Sequence, residues 1–260
     1  MDPSGTLDVH SIFYTFQGEG PFAGTPCVFV RLGGCNLQCP DCDTIYTDKP
    51  GDKYKRRLYT AHELVNAVVN DYPVLTTSSK LVVITGGEPF RQNLSPFIVL
   101  MLRAGFYIQI ETNGSFSPAY APDDYHLPWF NHNTYERKGV YVVCSPKTGK
   151  VNKHTEIVAC AYKYVMAYDS VDPEDGLPIY ALSHDTGRRV ARPPQGVPVY
   201  LQPMDHEFTI NSSRKHWVSE SLRIAEISEQ NRRSRQAVLE SCLKHGYIFQ
   251  LQIHKFVGVE

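Results

Sequence analysis

The chain has 260 residues, 26 Lys and Arg against 27 Asp and Glu, and a formal net charge of −1. A composition that is 42% hydrophobic and 20% charged supplies a substantial core and excludes wholesale disorder. Near-neutral charge gives no global attraction to nucleic acid or anionic membrane, and no run approaches the roughly 20 apolar residues of a membrane span.

The segment from Met1 to His10 is polar and has no apolar signal core, which points to a soluble cytoplasmic protein. The first predicted strand is Cys27 to Leu32, a short buried run. Thr60-Ala-His-Glu63 is a capping-box signature, and Leu64, Val65 and Val68 follow it at helical spacing. Leu81 to Thr85 reads as a second strand, closed by Gly86-Gly87. Pro96 to Ala104 suits a buried helix, with Pro near its start and Gly105 as its stop. Phe106 to Thr112 alternates and is aromatic and β-branched, a third strand. Val140 to Cys144, part of Glu156 to Val165, Val197 to Leu201 and Tyr247 to His254 complete the predicted strands. Ser219 to His245 supplies one long helix or two short ones.

Strands that alternate with helices argue for a parallel sheet, open or closed into a barrel. Ligands in such folds collect at the carboxyl ends of the strands. Three polar runs fall there: Gly86-Gly87-Glu88, Glu111-Thr112-Asn113 and Ser145-Pro146-Lys147. The chain reads as a single domain over residues 1–260 with insertions at about 115–139 and 168–197, both long for loops of a compact domain.

Seven cysteines stand at 27, 35, 39, 42, 144, 160 and 242. An odd count without a signal peptide argues against a disulfide framework. Cys27, Cys144, Cys160 and Cys242 lie in predicted strands or a helix and read as core residues. Cys35, Cys39 and Cys42 form C-x3-C-x2-C on a loop after a strand. Structural zinc commonly takes four ligands in two separated pairs, and no matching downstream pair is present. A [4Fe–4S] cluster also takes Cys thiolates, normally four. Three would leave one iron open to a chelating ligand. A zinc or redox loop is the bland alternative.

The cysteine loop, with Gly86-Gly87-Glu88-Pro89 about 45 residues on, resembles the radical S-adenosylmethionine (SAM) superfamily. Gln17-Gly18-Glu19-Gly20, Arg31, Gly34-Cys35-Asn36-Leu37, Cys42-Asp43-Thr44 and Gln252-Ile253-His254-Lys255 narrow the likeness. Together they resemble the 7-carboxy-7-deazaguanine synthase family. That resemblance implies a modified, incomplete (β/α)6 partial barrel. It also implies conversion of 6-carboxy-5,6,7,8-tetrahydropterin to 7-carboxy-7-deazaguanine with loss of ammonia, in 7-deazapurine (queuosine-type) biosynthesis. The implied cofactors are a [4Fe–4S] cluster, SAM and Mg²⁺. The implied partners are an external electron donor such as flavodoxin and a second copy of the chain. The substrate is a small pterin, so direct nucleic-acid binding is not expected.

Site roles follow residue by residue. Cys35, Cys39 and Cys42 hold the cluster, and Gly86, Gly87 and Glu88 receive the amino group of SAM. Glu111, at a strand end, suits the SAM ribose hydroxyls. Ser145, Lys147, Gln202 and Asn113 are candidates for further SAM contacts, on a level with structural roles. The resemblance assigns Gln17, Glu19, Arg31 and His254 to the pterin. A carboxylate such as Glu19 accepts from the amidine-like pterin edge, and a guanidinium such as Arg31 pairs with the substrate carboxylate. Thr44 is the implied Mg²⁺ hydroxyl. The family likewise brings its C-terminal carboxylate, here Glu260, near substrate. Two rival readings share part of this pattern: an activase that forms a glycyl radical on a partner protein, and a non-catalytic metal-binding regulator. Gln17, Glu19, Arg31 and His254 argue against the first, and intact Cys35, Cys39, Cys42, Glu88 and Glu111 against the second.

Overall fold

The computed structural model describes residues 5–39, 42, 56–71, 79–118, 130–180, 188–206 and 220–258. Among these, one mixed sheet of nine strands carries helices in an α/β arrangement. The strands are β1 (Leu7–Phe16), β2 (Pro26–Leu32), β3 (Arg57–Tyr59), β4 (Leu81–Gly86), β5 (Tyr107–Thr112), β6 (Val140–Cys144), β7 (Ala159–Met166), β8 (Val199–Pro203) and β9 (Ile248–Phe249). Their order across the sheet is β3-β1-β2-β4-β5-β6-β7-β8-β9. From β2 to β9 all neighbours pair in parallel. β1 runs antiparallel to both β2 and β3.

The helices are α1 (Ala61–Asp71), α2 (Ser95–Arg103), α3 (Lys153–Val158), α4 (Glu220–His245) and α5 (Ile253–Val257). The predicted capping box opens α1. The Thr60 amide donates to Glu63 Oε2 at 2.8 Å, and the Glu63 amide donates to Thr60 Oγ1 at 3.2 Å. The Thr60 amide is also the main reason the Glu63 carboxyl lies below its ordinary pKa. α2 has Pro96 in its first turn and ends before Gly105, whose φ of 81° only glycine adopts readily. α4 is one helix of 26 residues. It buries a single stripe, Ser234, Val238, Ser241 and Cys242, at the three-to-four residue spacing of one face.

Two expectations need correction. The first strand is not Cys27–Leu32 but β1, which begins at Leu7. Its sequence alternates apolar and polar residues because one face meets the core while the other is partly open. An irregularity between Val9 and Ser11 breaks that alternation further. The last predicted strand, Tyr247–His254, shrinks to Ile248–Phe249, and residues 253–257 turn into α5. Its apolar residues lie on an open sheet edge, with Ile248 and Phe249 both exposed. Of the two insertions, the described part of the second is tied to the core. Leu177 and Val190 are buried in it, and Arg189 and Arg192 pair with Asp172 and Asp175.

Side chains alternate between the two faces of each parallel strand. One face packs the main core: Val28, Val30, Ile84, Ile108, Ile110, Val142 and Tyr162 meet Leu64, Val68, Phe97 and Met101 of the helices. The opposite face changes character along its length. Near the strand starts it is apolar, with Cys27, Leu81, Val83, Tyr107, Tyr141, Val143, Cys160 and Ala161 packed around Phe22. Phe22 comes from a 3-10 turn, Gly20–Phe22, in the β1–β2 connection. It meets Tyr107 and Tyr141 edge-on at centroid distances of 5.2 and 4.8 Å. Towards the strand ends the same face turns polar, at Arg31, Thr85, Glu111 and Lys163.

Phe22 thus closes the apolar floor beneath the polar strand ends. Phe22→Ala is expected to cost about 3–5 kcal/mol, the usual range for emptying a buried phenylalanine site. Leu58→Ala, at a site 68% exposed, is expected to stay within about 0.5 kcal/mol. Urea denaturation of the two variants checks the contrast.

Candidate functional site

One cavity opens at the carboxyl ends of the parallel strands. Its walls include Gln17, Glu19, Arg31, Cys35, Cys39, Cys42, Gly86, Gly87, Glu111, Asn113, Ser145 and Lys147. Twelve residues singled out from the sequence therefore meet in one place, though they span positions 17 to 147. The topology explains this. Parallel strands deliver their ends to one rim, and β2, β4, β5 and β6 are consecutive neighbours.

The cysteine loop is fastened by backbone. The Gly87 amide donates to the Leu32 carbonyl at 3.0 Å, and the Glu88 amide donates to the Gly34 carbonyl at 2.9 Å. A Cβ on Gly87 would run into the Gly34 carbonyl group, and one on Gly86 into the Leu32 backbone. Gly86 also has a φ of 119°. The glycine pair therefore lets the end of β4 lie directly against the entry to the cysteine loop. Beyond that entry, Asn36 donates to Ser115 Oγ at 3.0 Å and accepts from Asn113 Nδ2 at 3.0 Å. The Leu37 amide points at Cys35 Sγ, 3.4 Å away.

Glu88 differs from the acceptor expected of it. Its side chain is fully buried and is not part of the cavity wall. Oε1 accepts from the Phe90 amide at 3.0 Å and from Thr112 Oγ1 at 2.7 Å, and Oε2 accepts from the Asn113 amide at 2.7 Å. Burial raises the pKa of this carboxyl, and the three hydrogen bonds oppose that rise. Glu88 ties the end of β4 to the end of β5 and so sets where Gly86, Gly87 and Asn113 face the cavity.

A second wall is a charged band. Glu19 and Glu111 both contact the Lys163 ammonium, Glu19 through Oε2 as a close ion pair and Glu111 through Oε2 at 3.5 Å. Gln17 and Gln109 donate to Glu111 Oε1 at 2.9 and 3.0 Å. Gln252 donates to Glu19 Oε1 at 2.6 Å. Lys163 and Gln252 line the cavity and were missed by the sequence reading. Lys163 did carry a signal: it is the one charged residue in the strand ACAYKYVM. Gln252 stood in the Gln252-Ile253-His254-Lys255 motif that narrowed the likeness, but only His254 of that run was given a site role.

The third wall is aromatic and basic. The Arg31 guanidinium lies 4.6 Å from the centroid of Phe13, which stacks on Phe29 at 5.3 Å. Phe16 and Phe29 also face the cavity. The packing holds a planar cation at the rim of the cavity.

The remaining predicted residues fall elsewhere. Gln202 is buried, and its amide donates to Gln250 Oε1 at 3.1 Å. Gln250 in turn brackets the Gly20 backbone, accepting from its amide at 2.6 Å and donating to its carbonyl at 3.0 Å. Gln202 thus supports the Glu19–Gly20 turn from below and does not line the cavity. The backbone of His254 lies in α5 and not in a strand. Thr44 and Glu260 lie outside the described residues. Cys27, Cys144, Cys160 and Cys242 are buried as expected. Burial raises all four thiols, Cys160 to about 12 and Cys242 to about 11, so they stay protonated and inert.

Only the other three thiols open on the cavity. Among the described residues no three His, Cys, Asp or Glu side chains converge on a single-ion site. An iron–sulfur cubane asks for something else, since each thiolate takes its own iron. Three accessible thiols on one short loop, with an amide aimed at the first, fit that donor set.

A three-thiol loop whose backbone is pinned to a glycine-rich strand end at the rim of a parallel sheet fits the radical SAM enzyme class that the sequence motifs resemble. No protein-family model matches the chain. A curated protein from Rhodospirillum rubrum, named 7-carboxy-7-deazaguanine synthase, is 36% identical over 98% of this chain and 93% of its own length. One of the same name from Rickettsia prowazekii is 33% identical, covering 98% of this chain and 89% of its own length. The crystal structure of QueE from Escherichia coli shares the fold, with a TM-score of 0.57 and 21% identity over 95% of this chain and 93% of that chain. The chain belongs to the 7-carboxy-7-deazaguanine synthase family.

Two substitutions test how the loop is held. Gly87→Ala is expected to remain folded but to lose most of its iron uptake, read as the visible absorbance after anaerobic reconstitution. Glu88→Gln replaces one acceptor oxygen by a donor that faces a donor, so a loss of about 1–3 kcal/mol in unfolding free energy is expected.

Proposed function

We propose the following division of labour for the reaction of this family, the conversion of 6-carboxy-5,6,7,8-tetrahydropterin to 7-carboxy-7-deazaguanine with release of ammonia. Cys35, Cys39 and Cys42 hold the [4Fe–4S] cluster. The backbone of Gly86 and Gly87 accepts the amino group of SAM, with Glu88 acting from beneath. Glu111 accepts from the ribose hydroxyls, and Ser145, Lys147 and Asn113 complete that side. When bound, the cluster and SAM supply a carbon-centred radical that removes one hydrogen atom from the substrate.

The chain's own residues do the positioning. Glu19 accepts from the amidine edge of the pterin, and Gln17 offers both a donor and an acceptor beside it. Arg31 pairs with the substrate carboxylate. These groups stand on the same rim as the cysteine loop, which keeps the reacting carbon near the radical source. Holding one C–H bond in reach is the main demand, because a radical of this kind attacks whatever it meets. The apolar cluster around Phe22 packs the same sheet face on the strand-start side of these groups. His254 is assigned to the substrate side, and Thr44 to Mg²⁺, on the family resemblance.

The observation that carries this reading is the shared cavity. Residues matched to the pterin side (Gln17, Glu19, Arg31) and residues matched to the cluster and SAM side (Cys35, Gly86, Glu111) line one space. A glycyl-radical activase needs the second set and has no use for the first.

The same reading extends to the rest of the molecule. The sheet forms the modified, incomplete (β/α)6 barrel of the superfamily, and residues 1–260 form a single domain. An external reductant such as flavodoxin feeds the cluster, the chain acts as a homodimer in the cytoplasm, and it makes no direct contact with nucleic acid. No described helix is long and apolar enough to cross a membrane.

Anaerobically reconstituted protein, given SAM, dithionite, Mg²⁺ and the pterin, is expected to yield the 7-deazapurine acid and ammonia. Cleavage of SAM with no such product would point to the activase. In the same assay Glu19→Ala is expected to lower kcat/KM for the pterin roughly ten- to a hundred-fold, the worth of one charge-assisted hydrogen bond. Its cluster absorbance should not change. Full activity in this variant would remove Glu19 from the substrate site.

A further inference from the structure

We propose that Lys163 is a positioning residue that binds Glu19 and Glu111 into one unit, so that both the substrate and the SAM nucleoside depend on it. This rests on the assignment above of Glu19 to the pterin and Glu111 to the ribose. Nothing in the sequence motifs assigned Lys163 a role.

The three residues come from three separate elements. Glu19 enters from the β1–β2 connection, Glu111 stands at the end of β5, and Lys163 lies in the middle of β7. Lys163 is only 7% exposed. A lysine this deep needs anionic partners, and here its ammonium has one oxygen from each carboxylate, Glu19 Oε2 and Glu111 Oε2. The other oxygens are held from outside the pair, Glu111 Oε1 by Gln17 and Gln109, and Glu19 Oε1 by Gln252.

The ammonium therefore solves an electrostatic problem. Two carboxylates that share one cavity wall repel each other, and without a counter-charge their side chains turn apart. That removes an acceptor from one of the two ligands. Arg31 from β2 and Lys147 beyond β6 border the same cavity, and among the described ion pairs Lys163 contacts both carboxylates. A compact ammonium meets both oxygens from a single point, which the planar fork of an arginine does less well. Lys163 thus stands between the two acceptors and keeps both aimed into the cavity. It acts on the ligands through Glu19 and Glu111.

The test uses the full chain, reconstituted anaerobically, in four variants: Lys163→Met, Lys163→Arg, Glu19→Gln and Glu111→Gln. SAM affinity is read by equilibrium dialysis, pterin KM by turnover, and folding by thermal melting and iron content. Lys163→Met is expected to weaken SAM binding and to raise the pterin KM, each by about ten-fold or more, the scale of a lost charge-assisted hydrogen bond. Glu19→Gln should raise only the pterin KM, and Glu111→Gln should weaken only SAM. Lys163→Arg keeps the charge and should recover affinity for both relative to Lys163→Met. A lysine that merely stabilises the fold would lower the melting temperature and leave both affinities unchanged. That result overturns the proposal, as does an effect on one ligand alone. If the wild-type chain makes no 7-deazapurine, the functional assignment fails. The dialysis arm still decides the role of Lys163, because unchanged SAM affinity in Lys163→Met overturns it.

Discussion

The two-residue period of the parallel strands is the constraint on which the site depends. On one face of β2, β4, β5, β6 and β7 every second residue points away from the helices. That face runs from Cys27 to Arg31, from Leu81 to Thr85, from Tyr107 to Glu111, from Tyr141 to Val143 and from Ala161 to Lys163. In β2, β4, β5 and β7 it passes, within a strand length of about five residues, roughly 17 Å, from an apolar floor to a polar rim, whereas Tyr141 and Val143 of β6 stay within the floor. A one-residue slip in any strand would carry a rim residue into the main core and a core residue into the cavity. The apolar floor and the polar site are therefore set by one and the same register.

The three buried or half-buried glutamates at this rim show how environment divides like residues. Glu88 is sealed under the rim, with three hydrogen-bond donors and no access to the cavity. Its energy goes into joining two strand ends. Glu19 and Glu111 stand at the surface of the cavity and share a cation. Lys163, which lines the cavity between them, offsets the repulsion between the two. The glutamine group plays the complementary part. Gln17, Gln109, Gln250 and Gln252 carry no charge to desolvate, so they can fill the remaining acceptor and donor positions in low-dielectric surroundings.

Much of the parallel sheet was legible because buried parallel strands read as continuous apolar runs bounded by glycine or polar residues. Leu81–Gly86 and Val140–Cys144 are of that kind. The antiparallel strand β1 was not legible, since half of its residues face solvent and a register irregularity at residues 9–11 interrupts its alternation. The final strand failed for the opposite reason. Its apolar residues are real, but they occupy an exposed sheet edge and are not a sign of burial. Among site residues, Cys35, Cys39, Cys42, Gly86 and Gly87 were legible because spacing and residue type carry their chemistry. The side chains of Glu88 and Gln202 turned out to lie beneath the cavity, a distinction that depends on which way a side chain turns.

By itself the sequence determined the thiol set, the glycine pair, the family, and which short segments end at the ligand-binding rim. These are local properties, set by residue type and spacing. Only the tertiary structure decided that Gly87 presses against Gly34, that Glu88 is a tie between strands, and that Lys163 stands between Glu19 and Glu111. Each of those facts joins residues 24 to 144 positions apart, and such distances are closed only when the strands have found their neighbours.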